Sequence, residues 1–197
     1  MKKLRKLIKN KAEVLVETSN YEDQQDIWIL RRSAAAMMLE GDNKKAAIPL
    51  IEDGIVPVNH LAALLKGVQE LLASHHVEGA MWGRVGEGNL HVQPLLDLSI
   101  VSDRQKTFRL MSDYQTLVQS LGGSMSGEHG EGRLRAHLVK KQVGDELYGL
   151  FEAVKKVLDP HNILNPGVKF QEDVKTVIPM LRENYDVDAL HDFLPHR

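Results

Sequence analysis

The stretch EGAMWGRVGEGNLHVQPLL at 78–96 decides the fold class of this protein. It contains two β-rich segments, at about 78–85 and 89–96, on either side of the glycine-rich turn 86–88. So short a turn predicts an antiparallel hairpin, because parallel neighbours need a long crossover connection. Consecutive strands therefore favour an α+β protein over a doubly wound parallel sheet.

Strand-like and helical patterns alternate on both sides of this hairpin. The predicted strands are 12–17 and 46–52, and Pro49 favours an edge position for the second. Apolar periodicity predicts helices over 22–39, from 57–59 to about 72, over 102–121 and over 145–158. This order predicts an antiparallel, ferredoxin-like sheet packed with helices, plus a C-terminal helical segment.

Three finer expectations follow from the same patterns. Ser102 and Gln105 have the spacing of a capping box, with Ser102 as the N-cap. The pattern weakens after Phe170, which indicates a domain over 1–170 and a tail or docking arm over 171–197. The apolar stripe of the last helix is expected to be buried; it consists of Leu147, Leu150, Phe151, Val154 and Leu158.

The composition excludes several classes of function. A net charge of −2 argues against a surface for nucleic acid or anionic lipid, which needs a basic excess. The chain has no cysteine, which excludes disulfides, a thiolate nucleophile and cysteine-bound metal. No apolar run approaches the roughly 20 residues of a membrane span, and the basic start, 1–10, is too broken for a signal peptide. We expect a cytoplasmic protein.

The first of three polar, glycine-rich segments is the turn of the hairpin. Arg84 and His91 are an odd number of residues apart, so one unbroken strand would place them on opposite faces. The turn between them allows both side chains to converge on one spot. The alternative is a plain hairpin that carries a surface histidine.

The second and third segments also interrupt the packing pattern. SGEHGEG at 126–132 places Glu128 beside His129, which can act as metal ligand, base or proton shuttle, or can form a solvated loop. DPHNILNPG at 159–167 is a rigid turn, suited to a structural corner or to a cofactor contact. A nucleotide fingerprint, a Walker lysine and a serine triad at Ser126 are all absent from the sequence.

Together, these segments resemble the C-terminal domain of FAD-linked oxidases, the half of D-lactate, glycolate and D-2-hydroxyglutarate dehydrogenases that follows the FAD-binding domain. The family motifs GHxGDGNLH, SxEHGxG and DPxxxLNPGK read here GRVGEGNLH (83–91), SGEHGEG (126–132) and DPHNILNPGVK (159–169). Upstream, WILR (28–31) is similar to WxxR and EDGIVP (52–57) to ED-x-x-VP. The similarity spans about 12–170.

The resemblance implies an oxidoreductase that oxidises a small 2-hydroxy acid with FAD. His129 matches the proposed catalytic base. His91 and Glu128 match two of three ligands of a divalent metal, often zinc, that polarises the substrate hydroxyl. Arg31 matches an arginine that holds the substrate carboxylate. Asn165 lies in the turn that approaches the flavin.

The departures from the family pattern concern the substrate site. Arg84 stands where the family has its first metal-ligand histidine, and a guanidinium cannot ligate a cation. Our hypothesis is that Arg84 replaces the charge of the metal, pairs with Glu128 and reaches the substrate; the rival is a metal held by other ligands. Gln93 occupies a substrate-side position where asparagine is common, and Ala35 one where a threonine can occur.

The domain that supplies most FAD contacts in this family has no counterpart in the 197 residues. The sequence therefore predicts a domain that needs a separate FAD-binding domain or subunit and is inactive alone. Apolar surface at that interface would also favour oligomers. The alternative is a non-catalytic binding or assembly domain that keeps the fold and has lost the metal site.

Overall fold

A computed structural model describes residues 2–9, 11, 16–37, 45–171 and 173–181. The chain forms two compact units, Met1–Met37 with Asp188–Arg197, and Met38–Val187. The first unit contains helices α1 (Lys2–Ile8) and α2 (Tyr21–Met37), so the helix predicted over 22–39 is present as far as it is described. The strand predicted over 12–17 lies mostly outside the described residues, and 16–17 are not in a strand.

The second unit is built on one long strand. That strand is β4 (Asn89–Leu96), and it pairs antiparallel along its length with β3 (Gly79–Arg84), which confirms the predicted hairpin. The opposite edge of β4 is covered at one end by β1 (Ala46–Ala47) and at the other by β2 (Gly54–Ile55).

The strand predicted over 46–52 is therefore wrong in its extent. It ends after two residues, because Pro49 has no N–H to donate and because Leu50 and Ile51 turn into the core, where both are fully buried. The chain rejoins the sheet only at Gly54. The segment between the two strands, which leaves the sheet, carries Glu52 and Asp53.

The order of the elements is that of a ferredoxin-like sheet. Helix α3 (Leu61–Ser74) connects β2 to β3, and α4 (Val101–Ser120) connects β4 to Ser124, which bridges antiparallel to Ile55 on the outer side of β2. Across the sheet the order is thus Ser124, β2, β4, β3. The predicted antiparallel α+β fold is confirmed. The strand that would follow α4 in a ferredoxin-like sheet is reduced to the single bridge at Ser124.

The two faces of β4 have different partners. Leu90 and Val92 join the hydrophobic core, which they share with Val68 of α3 and with Met111 and Val118 of α4. Because side chains alternate along a strand, the residues between them point to the other face of the sheet. That face carries polar side chains that are nevertheless buried: Asn89, His91 and Gln93.

The helices after β4 correct two expectations. Helix α4 begins at Val101 with Ile100 as N-cap and no side-chain cap, so the capping box at Ser102 is wrong. The preceding turn is held instead by Asp97, which accepts hydrogen bonds from the backbone and hydroxyl of Ser99. Helix α5 (Ala136–Val143) was not predicted, because basic residues dilute its short apolar pattern. Gly144, with φ of +82°, joins it to α6 (Asp145–Leu158).

Helix α6 has the predicted bounds, but the burial predicted for its apolar stripe is wrong. The helix packs through Tyr148, which is buried and lies 5.9 Å from the ring of Phe170. The stripe itself is largely exposed, with Leu150 at 58 % and Leu158 at 75 %. We call Leu147, Leu150, Val154, Val157 and Leu158 the α6 apolar face.

The described part of the C-terminal segment contains two single-turn helices, Val174–Thr176 and Ile178–Met180. Val177 between them is buried. None of the described helices combines the length and the apolarity that crossing a lipid bilayer requires.

Candidate active site

The polar face of the hairpin brings the first predicted pair of site residues together. In the register of β3 and β4, Trp82 lies opposite His91, and Arg84 opposite Asn89. Side chains of opposed residues project from the same face, so Arg84 and His91 are diagonal neighbours. The convergence expected from the turn is thus present, and both side chains reach the same acceptor, Glu128.

Glu128 is the centre of a polar cluster. One of its carboxylate oxygens, Oε2, accepts from Arg84 Nη1, and the other, Oε1, lies 2.8 Å from His91 Nε2. The Arg84 guanidinium, followed by His91, holds the pKa of Glu128 below its usual range. In return, Glu128 raises the pKa of Arg84. Glu128 therefore carries a fixed negative charge between a cation and an imidazole.

The two histidines of the cluster are stacked on one another. The ring centroids of His91 and His129 are 4.9 Å apart and their planes are inclined by 23°. His91 is buried, whereas the side chain of His129 is 51 % exposed. Glu52 contacts the same pair: its Oε1 lies 3.3 Å from His129 Nδ1 and its Oε2 lies 4.0 Å from His91 Nδ1.

Asp53 fixes the backbone of the loop that carries Glu128 and His129. Its carboxylate is fully buried and accepts hydrogen bonds from the Glu128 N–H at 2.9 and 3.0 Å and from the His129 N–H at 2.7 Å. Its own backbone has a φ of +70°. Gly127 is needed beside it, because an added Cβ would come within 2.8 Å of Asn89 Nδ2. This loop is thus bound to a segment that is distant in sequence.

Arg135 also holds this loop, through hydrogen bonds to backbone carbonyls. It is 5 % exposed and donates to the backbone carbonyls of Glu52, Met125 and Gly130. Sequence reasoning assigned no role to Glu52, Asp53 or Arg135. The first two lie in the EDGIVP stretch, which was the only signal available for them.

The third glycine-rich segment adjoins the end of the second. Lys169 Nζ lies 3.1 Å from Glu131 Oε2, and Arg133 Nη1 donates to the carbonyl of Pro166. Asn165 lies in this turn with a φ of +49° and an exposed side chain. Among the described residues, no hydrogen bond joins Asn165 to the polar cluster.

The other predicted substrate residues lie in different places. Gln93 shares the face of His91, two residues further along β4, and is 9 % exposed. Arg31 lies on α2, in the first unit, with an exposed side chain. The roles of both residues stay predictions.

Comparison with known families decides where this fold and site belong. The model of the family described as "FAD linked oxidases, C-terminal domain" matches residues 2–168. The chain is a member of this family. The expected resemblance is thereby confirmed.

Relatives of this FAD-linked oxidase domain are oxidoreductases from bacteria and plants. D-2-hydroxyglutarate dehydrogenase of Escherichia coli is 36 % identical over 72 % of the chain and 14 % of its own length. Glycolate oxidase subunit GlcD of Bacillus subtilis is 27 % identical over 89 % of the chain and 37 % of its own length. The mitochondrial D-lactate dehydrogenase [cytochrome] of Arabidopsis thaliana is 29 % identical over 74 % of the chain and 25 % of its own length. The matched part of the chain thus corresponds to between 14 % and 37 % of the length of each relative.

Two groups of side chains bring possible metal ligands close together. Within each group, Glu52 with His91 and His129, and Asp53 with His91 and Glu128, the candidate ligand atoms lie within 4.8 Å of one another. In the second group, the Asp53 carboxylate already accepts hydrogen bonds from backbone N–H groups, and the guanidinium of Arg84 is paired with Glu128.

The first group fails for a different reason. A metal ion binds an imidazole in the plane of the ring, about 2.1 Å from the nitrogen. The planes of His91 and His129 are stacked and inclined by only 23°, so they meet far beyond that reach. As arranged, these side chains do not fit a divalent ion.

Proposed function

We propose that this domain forms the substrate side of a flavin-dependent dehydrogenase that oxidises a small D-2-hydroxy acid, such as lactate, to the 2-oxo acid. The observation that carries the proposal is the polar cluster itself. Three segments that are far apart in sequence place an exposed imidazole and an exposed guanidinium around one carboxylate. A solvated loop on a plain hairpin needs no such convergence.

His129 is the proposed base. A neutral His129 that donates Nδ1–H to Glu52 presents Nε2 as an acceptor, and Glu128 Oε1, at 3.8 Å, lies beyond hydrogen-bond reach of that nitrogen. Nε2 is then available to take the hydroxyl proton of the substrate. Glu52 and Glu128 stabilise the imidazolium that results, because both carboxylates lie next to the ring.

Arg84 is the proposed partner of the substrate's oxygens. Its side chain is 54 % exposed, and only part of its five N–H groups is engaged by Glu128 and Glu87. A guanidinium can bind a carboxylate through two parallel hydrogen bonds. Arg31 and Gln93 are proposed as further substrate contacts, and Asn165 as a cofactor contact.

In the reaction, the C2–H bond of the hydroxy acid breaks as a hydride, while the O–H proton moves to His129. FAD supplies the hydride acceptor when it is bound. We propose that an FAD-binding domain or subunit holds most of this cofactor and that Asn165 contacts it from this domain. The α6 apolar face supports a partner or an oligomer. The cytoplasmic location stays a prediction.

Co-expression with an FAD-binding domain, followed by dye reduction, tests the proposal. We expect turnover with at least one of D-lactate, glycolate and D-2-hydroxyglutarate. His129→Asn should lower kcat by about 100- to 10,000-fold, as expected for loss of a general base. His76→Asn is the matched control, because His76 is exposed and lies outside the cluster.

Two outcomes would contradict the proposal. A yellow complex without turnover on any 2-hydroxy acid favours the alternative of a non-catalytic binding or assembly domain. Equal kcat values for the two histidine variants remove His129 from the base role.

A further inference from the structure

The charge balance of the polar cluster differs from that of a metal site. Glu52, Asp53 and Glu128 bring three carboxylates, which are opposed by the guanidinium groups of Arg84 and Arg135. Arg135 is buried on backbone carbonyls, so Arg84 is the cation that contacts a cluster carboxylate and is also exposed. A divalent ion at Glu128 would have to approach a guanidinium already bonded there.

The hydrogen bond between His91 and Glu128 leads to the same conclusion. At 2.8 Å, a proton lies between His91 Nε2 and Glu128 Oε1, since two acceptors would repel one another at that distance. A metal ligand must be a bare imidazole nitrogen, so this proton would have to leave before an ion could bind. Nδ1 of His91 is buried, accepts no hydrogen bond from the described residues, and faces away towards Glu52.

We infer that the guanidinium of Arg84 takes the place of a divalent metal ion, so that this domain assembles its substrate site without a metal. The inference rests on the proposed function only for the identity of the ligand that meets the guanidinium. It assigns Arg84 as the residue that sets the metal preference of the site. A single substitution at position 84 should therefore convert the cluster into a metal site.

Zinc titration of the full 197-residue chain by calorimetry tests this inference. The wild-type chain should bind no stoichiometric zinc at His91. Arg84→His removes the cation and adds a third ligand to His91 and Glu128, so it should bind one zinc per chain. We expect at least about 100-fold tighter binding than in the wild type, because even an outer-shell partner changes metal affinity by about 10- to 100-fold.

Arg84→Ala is the matched control, since it removes the positive charge without adding a ligand. It should bind zinc more weakly than Arg84→His, and the gain should disappear in Arg84→His/His91→Ala. Position 84 is exposed, so these variants should keep the circular dichroism spectrum and thermal midpoint of the wild type.

Two results would overturn the inference. One is a wild-type chain that binds one zinc per molecule and loses it in His91→Ala. The other is a folded Arg84→His chain that binds zinc no more tightly than Arg84→Ala. Neither measurement involves flavin or hydroxy acid, so failure of the proposed dehydrogenase activity is observed separately, in the dye assay.

Discussion

Two loops of this domain are each held by one aspartate, yet they differ in where that aspartate comes from. Asp53 accepts the backbone N–H groups of Glu128 and His129 from 75 and 76 residues away. Asp159 accepts those of Ile163 and Leu164 from four and five residues away. The distant anchor joins separate parts of the sheet, whereas the local anchor only closes a turn at the end of α6.

The two loops also present different surfaces. The loop on Asp53 carries Glu128 and His129, whose side chains contact His91 and Glu52 of other segments, whereas the carboxylates of both anchors are buried. The loop on Asp159 presents Ile163 at 72 % and Leu164 at 62 % exposure. The same chemical device thus builds a polar site in one place and an apolar protrusion in the other.

The largest expected effect is the loss of the distant anchor. Asp53→Asn tolerates the positive φ but places an NH₂ group where N–H donors now converge, so the free energy of unfolding should fall by about 3 kcal/mol. Asp159→Asn should cost less, because the amides of its exposed turn can bond to water. Urea denaturation of both variants measures the difference. Equal losses would show that sequence distance does not matter here.

A pair of glycine substitutions sharpens the comparison at intermediate size. A Cβ on Gly54, next to Asp53, would overlap the buried hydroxyl of Tyr114, so Gly54→Ala should cost about 2 kcal/mol of unfolding free energy. A Cβ on Gly149, in the interior of α6, meets nothing within 4 Å. Gly149→Ala should instead stabilise the chain by about 0.5 to 1 kcal/mol through helix propensity. Thermal unfolding should shift in opposite directions, and a shift of the same sign in both would contradict the packing described around Gly54.

The smallest effect concerns the charge of the local anchor. The pKa of Asp159 is held below its usual range, first by Lys155, whose Nζ donates a hydrogen bond of 2.5 Å to Oδ2, and then by the backbone amides of the turn. Since the folded pKa is depressed, its contribution to stability is present above the unfolded value of about 3.9 and is lost as pH falls through the lower folded value. Lys155→Met should raise the pKa of Asp159, as measured by NMR titration. Lys156→Met is the neighbouring control and should leave it unchanged.

The sequence predicted those features that depend on local pattern. The hairpin, the bounds of α6 and the turn at 159–167 follow from periodicity, glycine and proline. The meeting of Arg84, His91, Glu128 and His129 was expected, and the structure brings them into contact. Their chemical roles remain proposals.

The features that could not be predicted depend on contacts between distant residues. Asp53 and Arg135 have no local pattern, because their partners are backbone groups many residues away. The exposure of the α6 apolar face was missed because periodicity indicates an apolar stripe but not what covers it. The strand predicted over 46–52 was too long, because burial of Leu50 in the core competed with pairing at the sheet edge.

The placement of Trp82 has a practical consequence. Its ring lies 6.2 Å from that of His91, across the hairpin. Indole emission depends on the groups that surround the ring, so the fluorescence of Trp82 should change when a ligand or an ion enters the cluster. The only other tryptophan is Trp28, and Trp28→Phe removes its signal. The domain therefore contains its own optical probe, usable in the absence of any coloured cofactor.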